Sequence, residues 1–254
     1  MLRNSDVLLD KVDALQAWTD ATPGACNGGR AIATDDPDRL GWEVIQSHLR
    51  RDGLFVFRHV PVQQVAEIGA RVEAWGYGLH SWRVFHGTAE DIRSNRRPPK
   101  ARSSHQIGTE ARPSGDMVTE AMSFLREYGI KPFTARILSG QVSPSVLVSA
   151  RAADGTLHGV AFGHVCFNAH SPWAETAWCG LVAVAAAARG CGLGRTINDA
   201  VIDAMFARPG ISGVVEYAAE DNLPSRRMIE GSGLTLRHDI VTCAASRSGT
   251  RPTR

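Results

Sequence analysis

The chain has 254 residues, room for one large domain or two modest ones. Its 28 Lys and Arg against 26 Asp and Glu leave a formal charge of +2, shared evenly by the two halves, so no half reads as a nucleic-acid-binding or acidic-partner module. Hydrophobic residues at 43% exclude wholesale disorder, and no apolar run approaches the ~20 residues of a membrane span.

The N-terminus leads into an acid-containing amphipathic stretch, not a signal-peptide apolar region. Cys26, Cys166, Cys179, Cys191 and Cys243 make no C-x-x-C pair, which argues against a disulfide framework and a zinc site. The histidines show no ligand spacing, so no metal is expected, and the cytoplasm is the expected compartment.

Apolar residues recur at helical spacing over 7–18, 40–49 and 62–75, with strand-like segments at 54–57 and 82–85. These predict a small N-terminal α/β domain over residues 1–92 that carries no motif of chemistry. Residues 93–103 hold five basic side chains, no acid and Pro98–Pro99, which predicts a solvated basic linker. A second unit is expected over 104–245. Its elements are a strand at 102–108, a helix at 116–128, strands at 146–151, 157–168 and 176–184, and a helix at 192–207. A strand at 214–218, a helix at 223–230 and a final strand at 234–243 complete it. The tail 246–254, rich in Ser, Arg and Thr, is expected to be disordered.

The informative segment joins the third of these strands to the helix after it. Arg189-Gly190-Cys191-Gly192-Leu193-Gly194-Arg195 follows Val182-Ala183-Val184. The first N–H groups of a helix lack internal partners, the helix dipole adds positive charge there, and glycines let a ligand approach the backbone. Such a turn suits a phosphate or pyrophosphate, with Arg189 and Arg195 flanking it. The spacing lacks the third glycine of a dinucleotide fingerprint and the Gly-Lys-Ser/Thr of a Walker loop. Cys191 reads as a small turn-filling residue.

The pattern R-x-x-G-x-G after an apolar strand resembles the pyrophosphate motif of the GNAT superfamily of acyl-CoA-dependent N-acyltransferases. Downstream, Asn222 to Leu234 is similar to that family's second motif helix and its glycine exit. The resemblance covers about 102–245. It implies an α/β (α+β) fold with a mixed, mostly antiparallel sheet flanked by helices. It also implies acetyl-CoA as co-substrate, no metal, and an amine of a small molecule or peptide as acceptor. Neither nucleic acid nor membrane is implied as partner, and a homodimer is compatible with it. In such proteins the pantetheine arm pairs along the strand matching Val182, Ala183 and Val184. The pyrophosphate rests on amides from Gly190 to Arg195, Cys191, Gly192, Leu193 and Gly194 included. Asn222 contacts the pantetheine, and Ser225 lies near the CoA arm.

Acetyl transfer to an amine also needs a base for the amine and a proton for the departing thiolate. The family tyrosine that often supplies that proton corresponds here to Ile229. Tyr217 is the nearest substitute in sequence, and Ser225 is a second possible donor. Glu175, Glu216, His164 and His170 are the candidate bases. Strand alternation puts Glu216 and Tyr217 on opposite faces of the sheet. The alternative reading is a catalytically silent acyl-CoA-binding module. A further reading makes residues 1–100 a partial copy of the same fold. The loop 168–174 and the region 115–140 are expected to wall the acceptor site.

Overall fold

The computed structural model describes residues 10–98 and 104–247. The expectations for residues 7–9, for linker residues 99–103 and for tail residues 248–254 lie outside these. Ser246 and Arg247, assigned to the tail, are the end of the last strand.

Helical residues 10–14 lead into α1 (Gln16–Ala21), two short strands β1 (Ala25–Asn27) and β2 (Ile32–Thr34), and helices α2 (Pro37–Leu40) and α3 (Trp42–Asp52). Then come β3 (Leu54–Pro61), a 3-10 turn, α4 (Val65–Ala74), β4 (Tyr77–Thr88) and α5 (Ala89–Asn95). The second half runs β5 (Gln106–Glu110), α6 (Gly115–Glu127), α7 (Ala135–Leu138), β6 (Ser145–Arg151), β7 (Leu157–Val165) and β8 (Thr176–Val184). It ends with α8 (Leu193–Phe206), β9 (Gly213–Ala218), α9 (Leu223–Gly231) and β10 (Thr235–Arg247).

Helix ends follow local chemistry. Asp36 caps α2 by accepting from Arg39 N–H at 3.1 Å. Thr88 and Asp91 form a reciprocal capping box on α5, with Thr88 N–H donating to Asp91 at 2.9 Å. This helix covers Arg93, so the stretch expected to be a linker from residue 93 begins inside a helix.

Ten strands form one mixed sheet in the order β1-β2-β3-β10-β4-β9-β8-β7-β6-β5. Neighbours are antiparallel except β2 with β3 and β8 with β9. The chain's last strand lies between β3 and β4, and β4 pairs with β9, so strands from both halves share the sheet. The apolar core is nevertheless double. One cluster gathers Ile45, Phe55, Phe57, Ile68 and Val72 with Val241 and Cys243; the larger one packs α6, α7 and α8 against β4 to β9.

The sheet curls back on itself. Cys26 in β1 bridges to Phe167, just past β7, and Asn27 N–H donates to Cys166 O at 2.9 Å. Asn168 fixes this closure by donating its amide to the carbonyls of Thr19, Thr22 and Ala25 at 2.8–2.9 Å. Polar side chains on β3 are thereby carried to the inner ends of β8 and β9.

Candidate active site

Parallel pairing between β8 and β9 runs Thr176↔Gly213, Ala177↔Val214, Trp178↔Val215 and ends there. Both strands continue, β8 held by β7 as far as Val184 and β9 held by β4 as far as Ala218. A wedge therefore opens between them, bordered by Cys179–Val184 on one side and Glu216–Ala218 on the other. Within it, Leu181 and Val182 together oppose the single residue Ala161 of β7, a bulge, and Leu181 takes φ +50°. Bulges re-aim the backbone, and strained non-glycine residues concentrate at functional sites.

The glycine-rich turn stands at the open end of the wedge. Gly190 and Gly192 have φ of +81° and +84°, a region glycine adopts without cost. Gly192 caps α8 without a side chain, and Thr196 N–H to Gly192 O at 3.1 Å is the first helical bond. The amides of Gly190 to Gly194 donate to no backbone carbonyl among the described residues, and a Cβ added at Gly190 would meet nothing. This amide cradle fits a diphosphate.

The flanking arginines divide. Arg189 is exposed, donates Nε to Val184 O at 3.1 Å and stands over the Tyr128 ring at 5.7 Å. Arg195 instead donates Nε to both Asp199 oxygens at 2.8 and 2.9 Å and Nη2 to Arg97 O at 2.8 Å. Its charge is neutralised by Asp199, so its backbone amide is what it offers the turn. Cys191 is an exposed free thiol whose Sγ donates to Ala188 O.

At the inner end of the wedge, Trp178 and Tyr217 share one face, with ring centroids 6.4 Å apart. The indole lies over Gly180, whose added Cβ would come within 2.5 Å of the Trp178 ring. Gly180→Ala is expected to displace this rigid ring and cost about 1–3 kcal/mol, read as a lowered Tm, while CoA affinity persists. An unchanged Tm would show that the indole has room elsewhere.

The Tyr217 hydroxyl accepts from Arg58 Nη1 at 3.0 Å and pairs with His59 Nε2 at 2.7 Å. Arg58 and His59 are 3% and 4% exposed, and His59 takes φ +53°. Burial pushes the His59 imidazole well below its ordinary pKa, with Arg58 adding to this, so it is neutral at pH 7. Burial likewise pushes the Tyr217 phenol up, and it stays protonated. The His59 ring lies 4.3 Å from Trp173 and 5.0 Å from Phe167, so the loop 168–174 lines this cluster through Trp173. Phe133, between α6 and α7, packs tilted against Trp178 with ring centroids 5.3 Å apart.

Glu216 points the other way, toward α8, where Asn198 Nδ2 donates to it at 2.8 Å and to Ser232 Oγ at 3.0 Å. Burial raises its carboxyl to about 8. Glu175 is exposed ahead of β8, at the closed end of the strand pair, and offers its backbone oxygen to Ser212 and Gly213. His164 is wholly buried among Phe133, Phe162 and Trp178, and burial lowers it to about 3. His170 is exposed. On α9, Asn222 caps the helix by accepting from Ser225 N–H at 3.3 Å, and Ser225 is half-buried in the first turn. Ile229 is 2% exposed within the larger core.

The sequence reading brought Tyr217 here but passed over Arg58, His59 and Trp178. A signal existed: Arg58-His59 interrupts the apolar run of Leu54 to Val60. Polar residues inside an apolar strand demand partners.

A wedge between parallel strands, with a glycine-rich helix start at its mouth and a half-buried phenol at its inner end, is the arrangement of an acyltransferase fold. The sequence model of the acetyltransferase (GNAT) family matches residues 118–233, and over them the chain is similar to that family. The chain is similar to a GCN5-related N-acetyltransferase from Kribbella flavida (13% identity, TM-score 0.57, 92% of this chain and 82% of that one). It is also similar to a tandem GNAT protein from the clavulanic acid biosynthesis pathway (13%, 0.54, 94% and 89%). A third likeness is to a functionally unknown conserved protein from Staphylococcus epidermidis (10%, 0.54, 86% and 84%). At these identities the likenesses show the fold: mixed α/β with a large, mostly antiparallel sheet flanked by helices. No curated protein matches. Among the described residues no helix is long and apolar enough to cross a membrane, and no side-chain group is arranged to hold a metal.

Proposed function

We propose that the chain is an N-acetyltransferase that moves an acetyl group from acetyl-CoA to an amine of a small molecule or peptide by direct attack in a ternary complex. The observation that carries this reading is the wedge after Trp178↔Val215, with unpaired β8 backbone along one wall and free helix-start amides at its mouth. The pantetheine amides pair with β8, and the diphosphate rests on Gly190 to Arg195.

The reaction forms a bond from the amine nitrogen to the thioester carbon and breaks the carbon–sulfur bond. The proton lost by the nitrogen ends on the thiol. Holding both reactants in the wedge lowers the barrier by several kcal/mol, of the order of ~7–11 in well-aligned cases. The amide of Val182, in the bulge, hydrogen-bonds the thioester carbonyl in this reading. The Tyr217 phenol supplies the proton to the leaving sulfur, taking the role that Ile229 cannot. Arg58, donating to the phenol oxygen at 3.0 Å, makes it a better acid.

Acetyl-CoA consumption with an amine panel tests the reading: CoA release that depends on the amine is expected. CoA binding by calorimetry without turnover favours the second reading, a silent acyl-CoA-binding module, for which the aliphatic core residue Ile229 at the family's tyrosine position speaks.

A further inference from the structure

We propose that the acceptor carries a carboxylate close to its amine, and that Arg58, assisted by Trp178, holds this carboxylate at the inner end of the wedge. The proposal rests on the acetyl-transfer reading above and deepens it.

The argument begins with a guanidinium in the wrong surroundings. Arginine keeps its charge in proteins and has donors only. Burying such a charge is costly unless an anion or a full set of acceptors meets it. Arg58 is 3% exposed, yet no carboxylate stands within ion-pair distance of it among the described residues. Its Nη1 reaches the neutral Tyr217 phenol, and its Nε is buried with no partner. Asp35 feels Arg58 only through space, and its carboxylate already accepts from the Ser171 hydroxyl. Stacking on the Phe167 and Tyr217 rings at 5.8 and 5.4 Å supports the guanidinium plane but offers nothing to Nε.

Of the other orphaned groups nearby, His59 Nδ1, His164 Nε2 and Thr242 Oγ1 can serve as donor or acceptor, whereas two can only donate. Trp178 Nε1, an obligate donor on the face it shares with Tyr217, is buried without a partner. Arg30 Nη1 is buried without a partner too, its guanidinium 6.0 Å from the Phe133 ring that packs against Trp178. Two unsatisfied obligate donors, the cationic Arg58 Nε and the neutral Trp178 Nε1, thus flank Tyr217 at the end of the wedge where the attacking amine must arrive, with a third, Arg30 Nη1, one ring further out beyond Phe133. The group that answers them is planar, anionic and rich in lone pairs. CoA's own anionic groups are accommodated at the opposite end, on the glycine-rich turn. Phe167 and Trp173 then face the acceptor's apolar part.

The test compares L-amino acids and dipeptides with their C-terminal carboxamides as acceptors, by CoA release from acetyl-CoA. Wild type is expected to favour the carboxylates about tenfold or more in kcat/KM. Arg58→Gln should abolish that preference by raising KM for the carboxylates alone, while the loss of its bond to Tyr217 lowers kcat for acids and amides alike and CoA affinity by calorimetry stays unchanged. Trp178→Phe, which removes one N–H and leaves the ring system, should reduce it several-fold, and this variant decides the matter if Arg58→Gln does not fold. Equal turnover of acids and amides, or better turnover of polyamines lacking a carboxylate, overturns the proposal. If nothing is turned over, the acetyl-transfer reading fails and the anion site is read by thermal shift of the CoA-loaded protein. A rise in Tm with amino acids but not their amides, lost in Arg58→Gln, supports the site; no such difference overturns it.

Discussion

Tyr217→Phe is expected to lower kcat about 100-fold, the low end of what a positioned proton donor contributes, with CoA affinity essentially unchanged. The substitution removes one oxygen and keeps the ring that packs near Trp178 at 6.4 Å. It also strips Arg58 Nη1 and His59 Nε2 of their shared partner, so some loss of stability accompanies it. Kinetics separate the two effects. Loss of an interaction made only in the transition state lowers kcat and kcat/KM together, whereas a loosened site raises KM. Acetyl thioester donors whose thiol is more acidic than that of CoA should recover part of the rate, since the sulfur then needs less help. A variant with full kcat would remove Tyr217 from the chemistry and leave water or Ser225 as the donor.

Glu216→Gln is expected to do the reverse: preserve turnover and change stability with pH. The Glu216 carboxyl sits on the α8 side of the sheet, bonded to Asn198, away from Tyr217. Burial raises its pKa to about 8 from an ordinary value near 4.5. A raised carboxyl is stabilising in its protonated form. Its contribution is complete below the unfolded pKa and falls as pH climbs from about 4.5 to about 8. Over that window the native state loses about 4–5 kcal/mol relative to a chain without the titration. Glutamine mimics the neutral acid and does not titrate. The variant should therefore match wild type near pH 4.5 and melt several degrees higher at pH 8.5, and the difference should grow steadily between. Parallel Tm curves across that range would mean that Glu216 is ionised in the fold and held by more than Asn198. A large loss of kcat would return it to the list of bases.

The parts of the site formed by neighbours in sequence were legible from sequence. The turn from Arg189 to Arg195, strand 176–184 and the helix that begins at Leu193 follow from local chemistry: glycines at positive φ and apolar residues spaced for a helix face. The Asn222 cap and the helix to Gly231 follow likewise. What composes the inner end of the wedge did not follow, because it is tertiary. Arg58 and His59 reach Tyr217 only because β10 enters between β3 and β4 and the sheet curls until Cys26 meets Phe167. No periodicity within residues 54–61 announces that encounter. Strands β1 and β2, three residues each, were too short to show a period. The side-chain commitment of Arg195 to Asp199 was open to inspection as an i,i+4 pair, and it leaves Arg189 as the loop's cation without a carboxylate partner among the described residues.

The place of β10 has a consequence for how this protein comes to be made. Strands β3 and β4 emerge early, each with an edge that only residues 235–247 can cover. More than half of the chain's length separates β4 from that cover, a loop whose closure entropy must be met before any contact repays it. Until then the nascent chain exposes two sticky strand edges and a core of Phe55, Phe57 and Ile68 lacking Val241 and Cys243. Folding should be slow, all-or-none across both cores and dependent on chaperones. A chain stopped short at residue 234 should lose the Arg58–Tyr217 encounter along with the strand, and aggregate rather than persist as a half-folded enzyme.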